Sequence, residues 1–357
     1  MKKERLYSLD FLRGLDIFLL TAVGLLLRAC DSIWHFSPFW KSQLDHLPWA
    51  GFTTWDMILP LFLFMSGAAI PFAFARRMAD GRPTAAFWKH LAARFALLWL
   101  LGLIAQGRFL TLDPAKMRPF VNVLQTMGVL MVVTALWYLL PSRKAQFAVP
   151  VGAFVLYFLL MQFCGDYTKD GNLVTKMGVW NDGLGLPKNF ATFFYTQIIC
   201  AGVFGPAGAL STRLLTSNVS TRRKTLTLLG VGAGLMALAA VCVFAGIPIV
   251  KRVYSPSYTL LTLGGSLALM GLCYQLTDVW KIRRGTWIFI LYGQCSLAAY
   301  LIHIRDLRPV LCAAGELAVQ GLPRFFGTKY QELFIAIAMA IILTVVLHLW
   351  RKLKAGG

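Results

Sequence analysis

The sequence predicts an all-α, polytopic membrane protein with about ten transmembrane helices. Three observations carry that reading. Of the 357 residues, 58% are hydrophobic and only 14% charged, and the mean hydropathy is +0.65; a soluble domain carries about a quarter of its residues as charges. The apolar residues fall in runs close to the ~20 residues that cross a hydrocarbon core. The basic residues, 35 Lys and Arg against 15 Asp and Glu for a net charge of +20, sit in short hops between those runs. That is the pattern of topology signals and lipid-headgroup contacts, not of a nucleic-acid surface.

In chain order the expected spans are 11–29, 56–75, 87–107, 120–140, 147–163, 191–212, 226–246, 258–279, 286–304 and 332–350. The first holds Asp16 and Arg28, and its opening "MKKERLYSLDFLRGLDIFLL" lacks a small-residue cleavage pattern. It therefore reads as a retained helix and not as a secretory signal. The apolar stretch 309–322 is too short to cross and reads as interfacial or re-entrant. Counting basic residues gives the orientation. With the N-terminus inside, the inner side, counting Arg13, Asp16, Arg94 and Asp278 with its segments, holds 21 basic and five acidic residues, against 14 and ten outside. The expectation is N-in and C-in, a single domain over 1–357, placed multi-pass in a cell inner membrane. Seven cysteines are scattered through apolar stretches with no Cys-x-x-Cys pair or Cys/His spacing, so no metal is expected.

Polar residues at lipid depth are the natural candidates for chemistry. Asp10 and Arg13 lie three apart on one helical face and can pair, and Asp16 continues that face. An ion pair anchoring the helix at the headgroups explains them equally well. Asp56 opens the second span, where a carboxylate caps free N–H groups and meets the helix dipole. His46 stands in "LDHLPWAGFTTWD" on the outer side, with Asp45 beside it, Asp56 ten residues on, and Pro48, Trp49, Gly51 and Trp55 ordering the loop. An imidazole there suits a general base or a nucleophile, although a lone interfacial histidine is more often an anchor. Gln125 in "NVLQTMG" and Gln197 and Gln294 elsewhere read equally as interhelical hydrogen-bond bridges. Lys251 and Arg252, with Ser257 in "KRVYSPSY", face the outer side and suit an anionic or sugar ligand, or lipid phosphate. No Walker A, G-x-G-x-x-G or H-E-x-x-H motif is present.

"RLYSLDFLRGLDIFLL" followed by "HLPWAGFTTWDMILPLFLFMSGAAIPFA" resembles the opening of the heparan-α-glucosaminide N-acetyltransferase family and its bacterial relatives. The matching residues are Ser8, Asp10, Arg13, Gly14, His46, Trp49, Gly51, Asp56, Pro60, Phe62, Phe64 and Gly67. Weaker echoes follow in "NVLQTMGV", "GIPIVKRVYSPSYTLLTLGG" and "YGQCSLAAYLIH". The resemblance implies an acetyl group passed from cytosolic acetyl-CoA to an amino sugar or glycan on the far side of the bilayer. The family histidine maps onto His46, as an acyl-histidine intermediate or as the base that deprotonates the acceptor amine. Asp56 joins it as a catalytic candidate, and Asp10, Arg13, Trp49, Gln125, Lys251 and Ser257 are candidates for binding donor or acceptor. The basic inner loops, with Arg76, Arg77 and Arg82, face the side that holds the anionic donor. Three family amides are absent: Gly24, Ala50 and Cys295 stand in their places.

The implied partners are membrane lipid, acyl-CoA and an outer-face glycan, with no nucleic acid, and the reading admits a homo-oligomer. The competing expectation is a transporter or flippase for a glycan or small solute, with Asp10, Arg13 and Asp56 on its path. A membrane protein of assembly without turnover is the third.

Overall fold

The computed structural model describes residues 6–75, 77–79, 82–106, 122–184, 190–304 and 307–356. Arg76 and the first two residues of the fourth expected span lie outside them. The chain is helical nearly throughout. In order, α1 (Tyr7–Phe18) passes through a π-helical turn, Leu19–Val23, into α2 (Gly24–Trp34), and α3 is the short Pro38–Ser42. The long helices α4 (Ile58–Ala75), α5 (Ala85–Ile104), α6 (Val123–Tyr138) and α7 (Arg143–Cys164) follow. Next come α8 (Leu173–Gly183), α9 (Phe190–Leu215), α10 (Thr221–Phe244) and α11 (Pro256–Cys273), which runs on into a second π segment, Tyr274–Val279. The chain finishes with α12 (Trp287–Gln294), α13 (Ser296–His303), α14 (Arg308–Val319), α15 (Pro323–Phe326) and α16 (Gln331–Gly356). Extended pairing within a sheet is confined, among the described residues, to Met78–Ala79 against Arg82–Pro83.

Seven stretches among the described residues are long and apolar enough to cross a membrane: Tyr7–Trp34, Thr54–Phe74, Ala85–Ile104, Arg143–Cys164, Thr221–Phe244, Pro256–Val279 and Thr328–Lys354. The other three expected spans are helical as well. The fourth is a helix of 16 residues, α6. The sixth is the 26-residue α9. The ninth is broken at Cys295 into α12 and α13. The stretch 309–322 forms α14 and its turn, as a short helix against α16 whose Gly315 faces Ile335 and Met339.

The chain divides into two compact units. One comprises 4–46, 53–58 and 273–357. Its axis is the pair α1 and α12. The Tyr7 hydroxyl lies 2.6 Å from Thr286 Oγ1, and seven residues further along each helix Gly14 and Gly293 meet. The two helices therefore run parallel from a shared end. A Cβ on Gly14 would enter the backbone of Phe289, and one on Gly293 the backbone of Asp10; small residues here let the helices approach closely. Phe11 and Phe18 pack edge-on against Phe289 beside this seam. Asp278 closes the open end of α1. Its oxygens accept the backbone N–H groups of Tyr7 at 3.0 Å and Ser8 at 2.9 Å, two donors with no partner inside the helix. Arg283 lies over the Tyr7 ring at 4.4 Å.

The other unit comprises, among the described residues, those within 47–52 and 59–272. Glycines again set its closest contacts: Gly67 meets Gly205, Gly208 meets Phe64 and Ala68, and Gly232 meets Gly264. Arg213, in the last turn of α9, stacks on Tyr138 at 4.3 Å and hydrogen-bonds Gln146 Oε1. Gln146 in turn donates to the carbonyls of Tyr138 and Leu140 and accepts the Trp137 indole at its own carbonyl. The C-terminus of α6 thus receives the amide donors that helix ends lack. At another edge three loops join. Gly51 donates to Ile249 at 2.8 Å, Ala50 bridges Val250, and the Trp49 indole donates to the Tyr167 carbonyl at 2.8 Å. A small apolar cluster of Tyr157, Met161, Val174, Val250 and Val253 seals them, with Trp49 and Tyr167 packed on it.

Candidate functional site

The sequence "TTWD" at 53–56 is a capping box, a Thr followed three residues later by an acid. It folds as one: Thr53 is extended, Thr54–Met57 form a 3₁₀ turn, and α4 follows at once. The Thr53 backbone N–H donates to Asp56 Oδ2 at 3.1 Å, and the Thr53 hydroxyl donates to the Asp45 carbonyl at 2.8 Å. Asp56 is thereby turned back over the start of its helix and buried. Its second oxygen, Oδ1, lies 2.7 Å from His46 Nδ1. The side chains are 3% exposed at Asp56 and 52% exposed at His46. A buried carboxylate thus holds the inner nitrogen of a ring whose body reaches the surface.

Asp45 does something different. Both its oxygens take Arg28 of α2, Oδ1 at 2.8 Å from Nη2 and Oδ2 at 3.4 Å from Nη1, and Arg28 also donates to the Leu44 carbonyl. The Arg28 hydrogen bond holds the Asp45 carboxyl below the usual carboxylate range. Gln43 Oε1 accepts both the N–H and the hydroxyl of Thr54, at 2.9 and 3.0 Å. Residues 43–46 are therefore tied to α2 on one side and to the 3₁₀ turn on the other. Ahead of them, Trp34, Phe39 and Trp40 are largely exposed, the aromatic belt expected where a span leaves the bilayer.

An ionised Asp56 only accepts, so beside it the His46 proton would sit on Nδ1 and the ring's lone pair on Nε2. That is the arrangement of an oriented general base or nucleophile.

The remaining candidates are dispersed. Asp10 and Arg13 belong to the same unit as His46 but sit in the first turns of α1. Eighteen residues along a helix separate Asp10 from Arg28, roughly 27 Å, so the structure does not bring them to the imidazole. Trp49, Gln125, Lys251 and Ser257 belong to the other unit. Trp49 stitches loops together, as described above. Gln125 completes a second capping box, accepting the Asn122 N–H at 3.1 Å and Gln106 Nε2 at 3.2 Å. Lys251 starts a 3₁₀ turn ahead of α11. Ser257 is fully buried, donates to the Pro248 carbonyl at 2.7 Å and touches the Ser255 hydroxyl at 3.0 Å. No family model matches the chain, and no curated protein does.

Three contributors to the site were not singled out from the sequence: Arg28, Gln43 and Thr53. Only Thr53 carried a local signal, the capping-box spacing to Asp56. Arg28 and Gln43 act across the chain reversal between α2 and α4, which no local pattern announces. Among the described residues no group of three His, Cys, Asp or Glu side chains converges as metal ligands.

Proposed function

We propose that the chain is a membrane acyltransferase that passes an acetyl group from acetyl-CoA on the inner side to an amino sugar or glycan on the outer side. The observation that carries the reading is the 2.7 Å contact between His46 and buried Asp56 at the mouth of α4. It supports His46 in the role that the sequence resemblance gives it. As a base, His46 takes the proton of the acceptor amine as its nitrogen bonds the acyl carbon. The thioester C–S bond breaks, and the CoA thiolate leaves to be protonated. As a nucleophile, Nε2 bonds the acyl carbon as the C–S bond breaks and CoA leaves as thiolate; the acceptor amine then displaces the imidazole from the acyl carbon, and the proton it gives up ends on the thiolate. Asp56 stabilises the imidazolium in either case. The N-in, C-in orientation and the inner membrane belong to the same proposal. So does the inner-face donor, which the basic segments there would attract.

The test is transfer of labelled acetyl from acetyl-CoA to glucosamine-terminated glycans by purified protein. Wild type is expected to transfer and His46→Ala to fail while keeping its expression level and fold. Equal transfer by both proteins refutes the role of His46.

One observation favours transport. Asp16 is fully buried within a span, and neither carboxylate oxygen has a hydrogen-bond partner among the described residues. Intramembrane carboxylates mark ion and substrate paths. Uptake of a glycan or solute into proteoliposomes without acyl-CoA, abolished by Asp16→Asn, would select that reading.

A further inference from the structure

We propose that Gly24 and Trp55 form a positioning contact that holds Asp56 against His46. The proposal rests on His46 and Asp56 being the working pair, and it adds a residue pair to that site. The π turn of the first span ends at Gly24, whose N–H donates to the Leu19 carbonyl. A π turn inserts one residue into a helix and is frequent at functional sites. Gly24 is buried, and the Trp55 indole lies on it. A Cβ at position 24 would fall 2.8 Å from Cζ2 of that ring and nearer still to Cη2. The notch in α2 is therefore filled by an aromatic ring, and only glycine leaves it open.

Trp55 is the residue before Asp56 and belongs to the same 3₁₀ turn. The ring is short-tethered and rigid, so displacing it moves the backbone of the turn. That backbone carries Asp56, whose contact with His46 leaves little slack at 2.7 Å. The other ties of the turn, Gln43 to Thr54 and Thr53 to Asp45, run to residues 43–46. The indole in the Gly24 notch is the tie to the span itself.

Local helix physics predicts the opposite sign for the obvious substitution. Alanine is preferred to glycine inside a helix, so without the Trp55 contact Gly24→Ala raises the melting temperature and leaves His46 alone. With it, the substitution pushes the ring out and disturbs the pair.

The experiment uses the purified full-length chain in detergent and needs neither donor nor acceptor. The rate of diethyl pyrocarbonate modification of His46 is measured at neutral pH, taking His46→Gln as the background. Asp56→Asn sets the rate of an unpaired ring. Gly24→Ala is expected to move the rate from the wild-type value toward the Asp56→Asn value without raising the melting temperature. Adding Trp55→Phe, whose ring is smaller, is expected to return it toward wild type. A wild-type rate in Gly24→Ala, together with a higher melting temperature, overturns the proposal. So does an Asp56→Asn protein with the wild-type rate, because the pair would then not be coupled. If Gly24→Ala does not fold, Trp55→Phe alone empties the notch from the other side. It is expected to shift the rate in the same direction, and an unchanged rate overturns the proposal. Absence of acetyl transfer would defeat the acyltransferase reading and leave these outcomes standing.

Discussion

At His46 a half-exposed imidazole meets a carboxylate that is almost wholly buried. Under the proposed function, the asymmetry would let His46 face the acceptor while Asp56 orients the ring. His46→Ala is expected to lower kcat for acetyl transfer by about 10²- to 10⁴-fold, the usual worth of a positioned general base. Asp56→Asn keeps the ring but loses the charge behind it, and is expected to lower kcat by a smaller factor, about tenfold or more. Initial rates at saturating donor measure both. Asp45 is a control of a different kind. Its carboxyl is held low by the Arg28 hydrogen bond, so its folded value lies below its unfolded one. The stability it contributes is present above the ordinary carboxylate range and is lost as pH falls through the lowered value. The pair is exposed, so the contribution is below about 1 kcal/mol. The melting temperature of Asp45→Asn should fall slightly short of wild type at pH 6, and the gap should narrow at pH 3. A full-size gap at both pH values would show that Asp45 acts through something other than its charge. Of the two acids flanking His46 in the sequence, Asp56 hydrogen-bonds its ring and Asp45 turns its oxygens to Arg28. Spacing alone does not distinguish them, because the choice is made by Arg28 from the preceding helix.

Helix elements meet here through glycine. Gly14 and Gly293 let α1 and α12 touch backbone to backbone, and Gly14→Val forces them apart. Overpacking of this sort costs about 1–3 kcal/mol; a thermal melt in detergent should show the loss, while Gly152→Val, where no atom lies within 4 Å of a Cβ, should not. Unchanged melting in Gly14→Val would show that the seam does not bear on stability. Arg213 makes a second test. Its guanidinium rests on Tyr138 and bonds Gln146, and Arg213→Ala leaves the Gln146 oxygen without that donor. The loss expected is about 1–3 kcal/mol, for an abandoned buried polar atom and a lost cation–π contact. Arg213→Lys should recover only part of it, because an ammonium lacks the flat fork.

For the whole molecule, hydropathy made the helical class readable in advance, and among the described residues seven of the expected spans appear as helical stretches both long and apolar enough to cross a membrane. Boundaries were less readable. The break at Cys295 and the π turns at Leu19–Val23 and Tyr274–Val279 leave the apolar pattern unchanged, since they alter hydrogen-bond partners and not composition. The short α6 lies where the apolar run begins among polar residues. Charge counting also placed the N-terminal end and residues 280–285 on one side. Within their unit α1 and α12 start together at Tyr7 and Thr286. The absolute orientation is tested by labelling single cysteines in a cysteine-free background. Lys41→Cys is expected to react with an impermeant maleimide from outside and Arg222→Cys only after permeabilisation; the reverse pattern would invert the topology. The site was legible in its central residue and in its capping box, but not in the contacts that aim it, which come from residues distant in sequence.

The account stands or falls on acetyl transfer across a membrane at His46. Labelled acetyl-CoA enclosed with the inner face of oriented proteoliposomes, and an amino-sugar glycan supplied at the outer face, measures it. The account predicts labelled glycan outside with wild type and none above background with His46→Ala of equal content and fold. Labelled glycan at equal rates from both proteins, or from neither, contradicts it.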